Sequence, residues 1–203
     1  KKVTRAMEMV SASKMRKSIE AVLKTRTYSN LAWLTVLNIA ASADSKENIH
    51  PLLTSRAEVK KVAIVLISSN RGLCGSFNSN IVNKAVASIK KQGDIDTDFI
   101  LVGKKGIMVN GRFKYNVSAE FDKADFVSEI KEVRSMAKML IDDFLAEKYD
   151  KVFVAYTDFV NSVKQVPRVK QILPVDINTI DEYLGVVGKT ENVTTNKPYI
   201  REK

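Results

Sequence analysis

The first 42 residues contain neither glycine nor proline. A stretch without breakers favours one continuous helix, roughly 60 Å long at about 1.5 Å per residue. Its opening, KKVTRAMEMVSASKMRKS, carries Lys1, Lys2, Arg5, Lys14, Arg16 and Lys17 against the single acid Glu8, with the small residues Ala6, Ser11, Ala12 and Ser13 where a firm heptad seam would place leucine. Further along, Met15, Ile19, Val22, Trp33, Val36 and Ala40 recur at helical spacing, and Leu31, Leu34 and Leu37 widen the stripe. The helix is therefore expected to be basic and lightly packed first, well buried later. A helix of this length cannot bury a stripe on itself, so it needs a partner helix or another chain.

The polar stretch ASADSKENIHPLLTSRAEV, with Pro51, ends the helix. Beyond Lys60 the pattern alternates. KVAIVLIS and DFILVG read as strands, IVNKAVASIKK as a helix closed by Gly93, KKGIMVNG as a short helix and KYNVSA as a short strand. Asp125 is placed to cap a helix whose Phe126, Ile130, Val133, Ala137, Leu140 and Phe144 form one face. KVFVAYTDF then reads as a central strand, and Pro167 pushes the strand in NSVKQVPRVKQILPV towards the sheet edge. Such alternation predicts an α/β fold with a mainly parallel sheet.

Composition narrows the function. Of 203 residues, 45% are apolar, enough for a core, and the net charge of +10 favours acidic partners. A lone cysteine, Cys74, excludes an internal disulfide framework, and a lone histidine, His50, excludes a multi-histidine metal site within the chain. No apolar run approaches the roughly 18 residues of a spanning helix, so the chain is expected to be soluble, with a place beside a membrane still open.

Two stretches invite a specific chemistry. SSNRGLCGSFNSN, residues 68–80, joins a strand to a helix, as phosphate-binding turns do. It lacks the GxxxxGK[ST] that wraps phosphates and holds magnesium, and Gly72 and Gly75 supply only the second spacing of GxGxxG. A tight turn is the simpler reading, with Arg71 leaving anion binding open and Cys74 expected as a small buried residue. The basic helix lacks the dense arginine clusters with asparagine of a DNA-reading region, so no nucleic-acid partner is expected. Met7, Met9, Val10 and Met15 among its charges point instead to protein contact. The neighbouring carboxylates Asp142 and Asp143, and Asp181 and Glu182, do not face one site and are read as surface charge.

Three segments together carry a family resemblance. KKVTRAMEMVSASKMRKS closely resembles the N-terminal helix of the gamma subunit of F-type ATP synthase, SSNRGLCGSFN is similar to that family's next signature, and NSVKQVPRVKQILPV looks like the segment after its late strand. The resemblance runs in order from residue 1 to about 175. It implies a non-catalytic rotor subunit with no cofactor or metal of its own: a coiled-coil-type shaft helix (1–58 with its linker), a Rossmann-like domain (59–176) and a polar tail (177–203) leading to a C-terminal helix. The expected partners are the alpha and beta subunits, the epsilon subunit and the c-ring, with the subunit peripheral to the cytoplasmic face of a bacterial membrane. Carried over by position, Arg5, Met7, Lys14 and Arg16 are expected to meet the acidic loop of beta. With Cys74 alone, the redox dithiol of chloroplast members is not expected. The competing reading is a nucleotide-binding α/β enzyme or regulator using residues 68–80.

Overall fold

The computed structural model describes residues 2–42, 50–93, 95–123 and 130–175. The first element is α1, Lys2–Ser42, a single helix of 41 residues as the missing breakers predict. After a 3-10 turn at Pro51–Leu53 come β1 (Lys61–Ile67), α2 (Phe77–Gln92), β2 (Asp96–Val102), a second 3-10 turn (Lys104–Ile107), α3 (Met108–Phe113), β3 (Asn116–Phe121), α4 (Lys131–Leu145), β4 (Lys151–Phe159) and β5 (Gln165–Leu173).

The five strands form one sheet in the order β3-β2-β1-β4-β5. β1 pairs in parallel with both β2 and β4, β2 with β3, and only β5 runs antiparallel. Val62 to Leu66, five successive apolar positions of β1, are all buried because both faces of a parallel sheet are covered. On one face Val62, Ile64, Leu66, Phe99 and Leu101 pack with Ile81, Val82, Ala85 and Ile89 of α2. On the other, Ala63, Val65, Ile100 and Val152 pack with Leu140 and Phe144 of α4. Pro167 lies in the outermost strand, where its missing N–H leaves no ladder bond unmade.

Several boundaries and one face differ from the sequence reading. α2 starts at Phe77 rather than Ile81, β2 at Asp96 rather than Asp98, and β3 covers Asn116–Phe121 rather than 114–119. Asp125 and Phe126, expected to open α4, lie outside the described residues. In α4 the face towards the sheet is Met136, Met139, Leu140 and Phe144, whereas Ile130 is 74% exposed and Val133 and Ala137 are exposed. The residues at three- and four-step spacing formed two overlapping stripes, and the two methionines shift the buried one partly round the helix.

α1 lies against β4 and β5. From Arg26 its covered positions include Arg26, Asn30, Trp33, Leu37 and Ala40 at alternating four- and three-residue steps, the spacing of a coiled-coil seam, with Ser29 and Leu34 beside them. Here the seam faces a sheet: the Lys170 ammonium stands 4.3 Å from the centre of the Trp33 ring, and Arg26 reaches Asp158. Asp158 shares strand parity with Val154, which packs on the α4 side, so α1 and α4 cover the same face of the sheet. The stripe is narrower than expected. Ile19, Trp33, Leu34 and Leu37 are half-buried and Ala40 buried, but Met15, Val22, Leu31 and Val36 are exposed.

Candidate functional site

α1 runs past the sheet. Between Thr4 and Thr25 every residue is exposed except Lys14 and Ile19, which are half-buried. In this half Met7, Met9, Val10 and Met15 are each at least half exposed, an unusual share of apolar surface for one helix. Further down, Tyr28, Leu31 and Ile39 are also exposed. At about 100° per residue, Val10, Tyr28, Leu31 and Ile39 project from the side opposite Arg26 and Trp33, away from the sheet.

The four residues singled out from the sequence are not brought to one spot. Arg5 and Arg16, eleven positions apart, fall on one side of the helix, and Met7 and Lys14, seven apart, fall on the opposite side, about half a turn away. Arg5, Met7 and Arg16 are exposed and Lys14 is half-buried. The arrangement is a helix with charge on more than one side. It is not a convergent pocket.

The turn at 68–80 closes mostly on itself. Asn78 is its hub: its Oδ1 accepts from the backbone N–H of Ser69 at 3.0 Å, and its Nδ2 donates to Ser69 Oγ at 2.8 Å and Cys74 Sγ at 3.1 Å. Gly75 has φ +58°, which only glycine adopts without strain, and Leu73 shares that left-handed conformation with its side chain fully exposed. Cys74 is exposed, not buried as the sequence suggested, because the turn projects from the end of β1 and offers it no core to enter. Beside it, a Cβ on Gly103 (φ +96°) would stand 2.4 Å from the carbonyl oxygen of Ser68, so the loops after β1 and β2 meet only because that residue is glycine. Among the described residues no three His, Cys, Asp or Glu side chains converge as metal ligands would, and no helix is long and apolar enough to cross a membrane. Asp142 is exposed and Asp143 pairs with Lys148 at 2.9 Å, while Asp181 and Glu182 lie outside the described residues.

Against known proteins, the family model described as ATP synthase matches residues 1–202. The chain belongs to the ATP synthase gamma-chain family. The ATP synthase gamma chain of Coxiella burnetii is 35% identical over 176 residues, covering 86% of this chain and 60% of that one. The gamma chain of Dehalococcoides mccartyi is 39% identical over 178 residues with the same coverage. The chain thus spans about 60% of the length of the curated relatives it matches. A chain of the central stalk and c-ring structure of the Tetrahymena thermophila mitochondrial ATP synthase superposes with a TM-score of 0.61 at 24% identity, over 85% of this chain and 72% of that one. That likeness establishes the gamma-chain fold, a long helix beside a mainly parallel α/β domain.

Sequence reasoning missed the contact between these two parts of the gamma fold. Arg26 donates through Nη2 to Asp158 Oδ1 at 3.1 Å and to the Phe159 carbonyl at 2.9 Å, and Arg168 Nε donates to Asp158 Oδ2 at 3.0 Å. A faint signal was present: in β4, Asp158 shares the inward parity of Val152 and Val154, an odd place for an unpartnered acid.

Proposed function

We propose that this chain forms the central rotor stalk of an F-type ATP synthase, turning with the c-ring and driving conformational change at catalytic sites held by the alpha and beta subunits. The observation that carries the reading is the half of α1 that runs past the sheet with exposed methionines and basic side chains. A shaft inside a ring of other subunits needs contact surface all round, which suits Arg5 and Arg16 on one side and Met7 and Lys14 on the other. Basic side chains attract an acidic loop of beta over several ångströms, and methionine adapts to a neighbour that changes as the shaft turns. The apolar side turned from the sheet, with Val10, Tyr28 and Ile39, suits a second long helix of the same subunit.

On this reading residues 1–58 are shaft and linker, 59–176 the base domain facing epsilon and the c-ring, and 177–203 the lead into the second shaft helix. The chain contributes no catalytic residue and binds no cofactor, and its assembly sits on the cytoplasmic face of a bacterial membrane. Purification of the complex through a tagged gamma chain tests this: one copy should accompany three alpha and three beta subunits. Recovery of the chain free of both under conditions that keep the complex intact would overturn the proposal.

A further inference from the structure

The place where α1 leaves the sheet is built unlike the rest of the helix. Asp158 is 3% exposed in its side chain and Arg26 10%, and both carboxylate oxygens of Asp158 are taken by arginines from different elements, Arg26 of α1 and Arg168 of β5. Arg26 also donates to the main chain of β4 through the Phe159 carbonyl, and its Nη1 is buried with no hydrogen-bond partner among the described residues. A buried charge group is a costly way to hold a helix, since a hydrophobic contact of the same size is often as stable. What the charge group adds is register. A slip of α1 by one turn, about 5.4 Å, or a rotation by one residue, about 100°, separates Arg26 from both acceptors at once, whereas an apolar contact would slide.

Leverage gives the position its meaning. Arg26 ties α1 to β4 by hydrogen bonds to both a side chain and the main chain. Above it residues 4–25 project roughly 33 Å, and below it the covered seam down to Ala40 is roughly 21 Å long. A sideways load on the N-terminal stretch is carried in part at the Arg26 end of the seam. The reaction enters β4, which is hydrogen-bonded to β1 on one side and β5 on the other.

We infer that Arg26, Asp158 and Arg168 are the joint that fixes the axial and rotational register of α1 on the base domain, and that torque passes between shaft and base through it. The inference rests on the rotor reading for the word torque, but not for the joint itself. The three side chains are positioning residues that touch no substrate.

The test uses the full-length subunit with Cys74→Ser and spin labels at Thr25→Cys and Ser162→Cys, both exposed, followed by assembly into the complete synthase in vesicles. Arg26→Met should broaden the label-to-label distance distribution and, in complexes that still hydrolyse ATP, lower proton pumping per ATP by roughly threefold or more. Arg26→Lys should fall between. Asp158→Asn keeps the size but leaves one acceptor oxygen where the two arginines use two, so it remains informative if Arg26→Met fails to fold, and it should broaden the distribution in the same direction. A narrow, wild-type distribution in both Arg26→Met and Asp158→Asn, or wild-type pumping per ATP in the assembled variants, would overturn the inference. Failure of the wild-type subunit to assemble would sink the rotor reading separately, while the distance distributions still decide the joint.

Discussion

Tyr149, completely buried, donates its phenolic hydrogen to Asp98 at 3.0 Å across 51 residues of chain. Asp98 also accepts from Asn116 at 2.8 Å and pairs with Lys61 at 3.2 Å, so one carboxylate ties the start of β4 to β1, β2 and β3. Tyr149→Phe removes the donor and keeps the ring. With a charged acceptor the loss should be about 2 kcal/mol in urea unfolding with an unchanged m-value. A loss below about 0.5 kcal/mol would mean Asn116 and Lys61 already satisfy Asp98.

Two buried carboxylates are expected to set the acid limit of the base domain. For Asp98, burial pushes the carboxyl up, but hydrogen bonds from Asn116, Lys61 and Tyr149 together hold it below its ordinary value. For Asp150, burial again pushes up, and the Lys61 backbone N–H, Arg56 and the Lys60 backbone N–H prevail in lowering it. Groups depressed in the folded state bind protons more readily in the unfolded chain. Their stabilisation is therefore present above the unfolded carboxylate value of about 3.9 and disappears as pH falls through the lower folded values. Melting temperature should fall steeply below about pH 4, and Asp150→Asn should flatten that slope while lowering stability at neutral pH. An unaltered slope would assign the acid transition to other groups.

Reversal of the charges at Arg5 and Arg16 should leave the fold alone and disturb the motor. Both are exposed on α1, so Arg5→Glu with Arg16→Glu should shift unfolding by no more than about 0.5 kcal/mol. In the assembled synthase, ATP-driven proton pumping per ATP should change, most at low ionic strength, where screening beyond about 8 Å is relieved. Unchanged coupling at low salt would remove these residues from the proposed beta contact.

The strands and α1 were legible in the sequence because their signals are local: a run such as KVAIVLI has no exposed face in any fold, and 42 residues without a breaker leave few alternatives to a helix. The buried face of α4 was not. Ile130, Val133 and Ala137 fit one stripe as well as Met136, Met139 and Leu140 fit another, and only the sheet chooses between them. The joint was further out of reach. Arg26 and Asp158 are 132 residues apart, and a lone arginine on a basic helix looks like solvated charge until the partner strand is in place. Cys74 was misjudged for a related reason, since the exposure of a turn residue depends on where the turn points.

Cys74 also offers the most direct test of the central proposal, being exposed and the only cysteine in the chain. A probe attached there, in complexes held to a surface through their beta subunits, reports the motion of the base domain during ATP hydrolysis. Continuous rotation in one direction, stopping when ATP is withdrawn, is the expected result. A probe that stays fixed relative to beta while ATP is hydrolysed would contradict the assignment of this chain to the rotor.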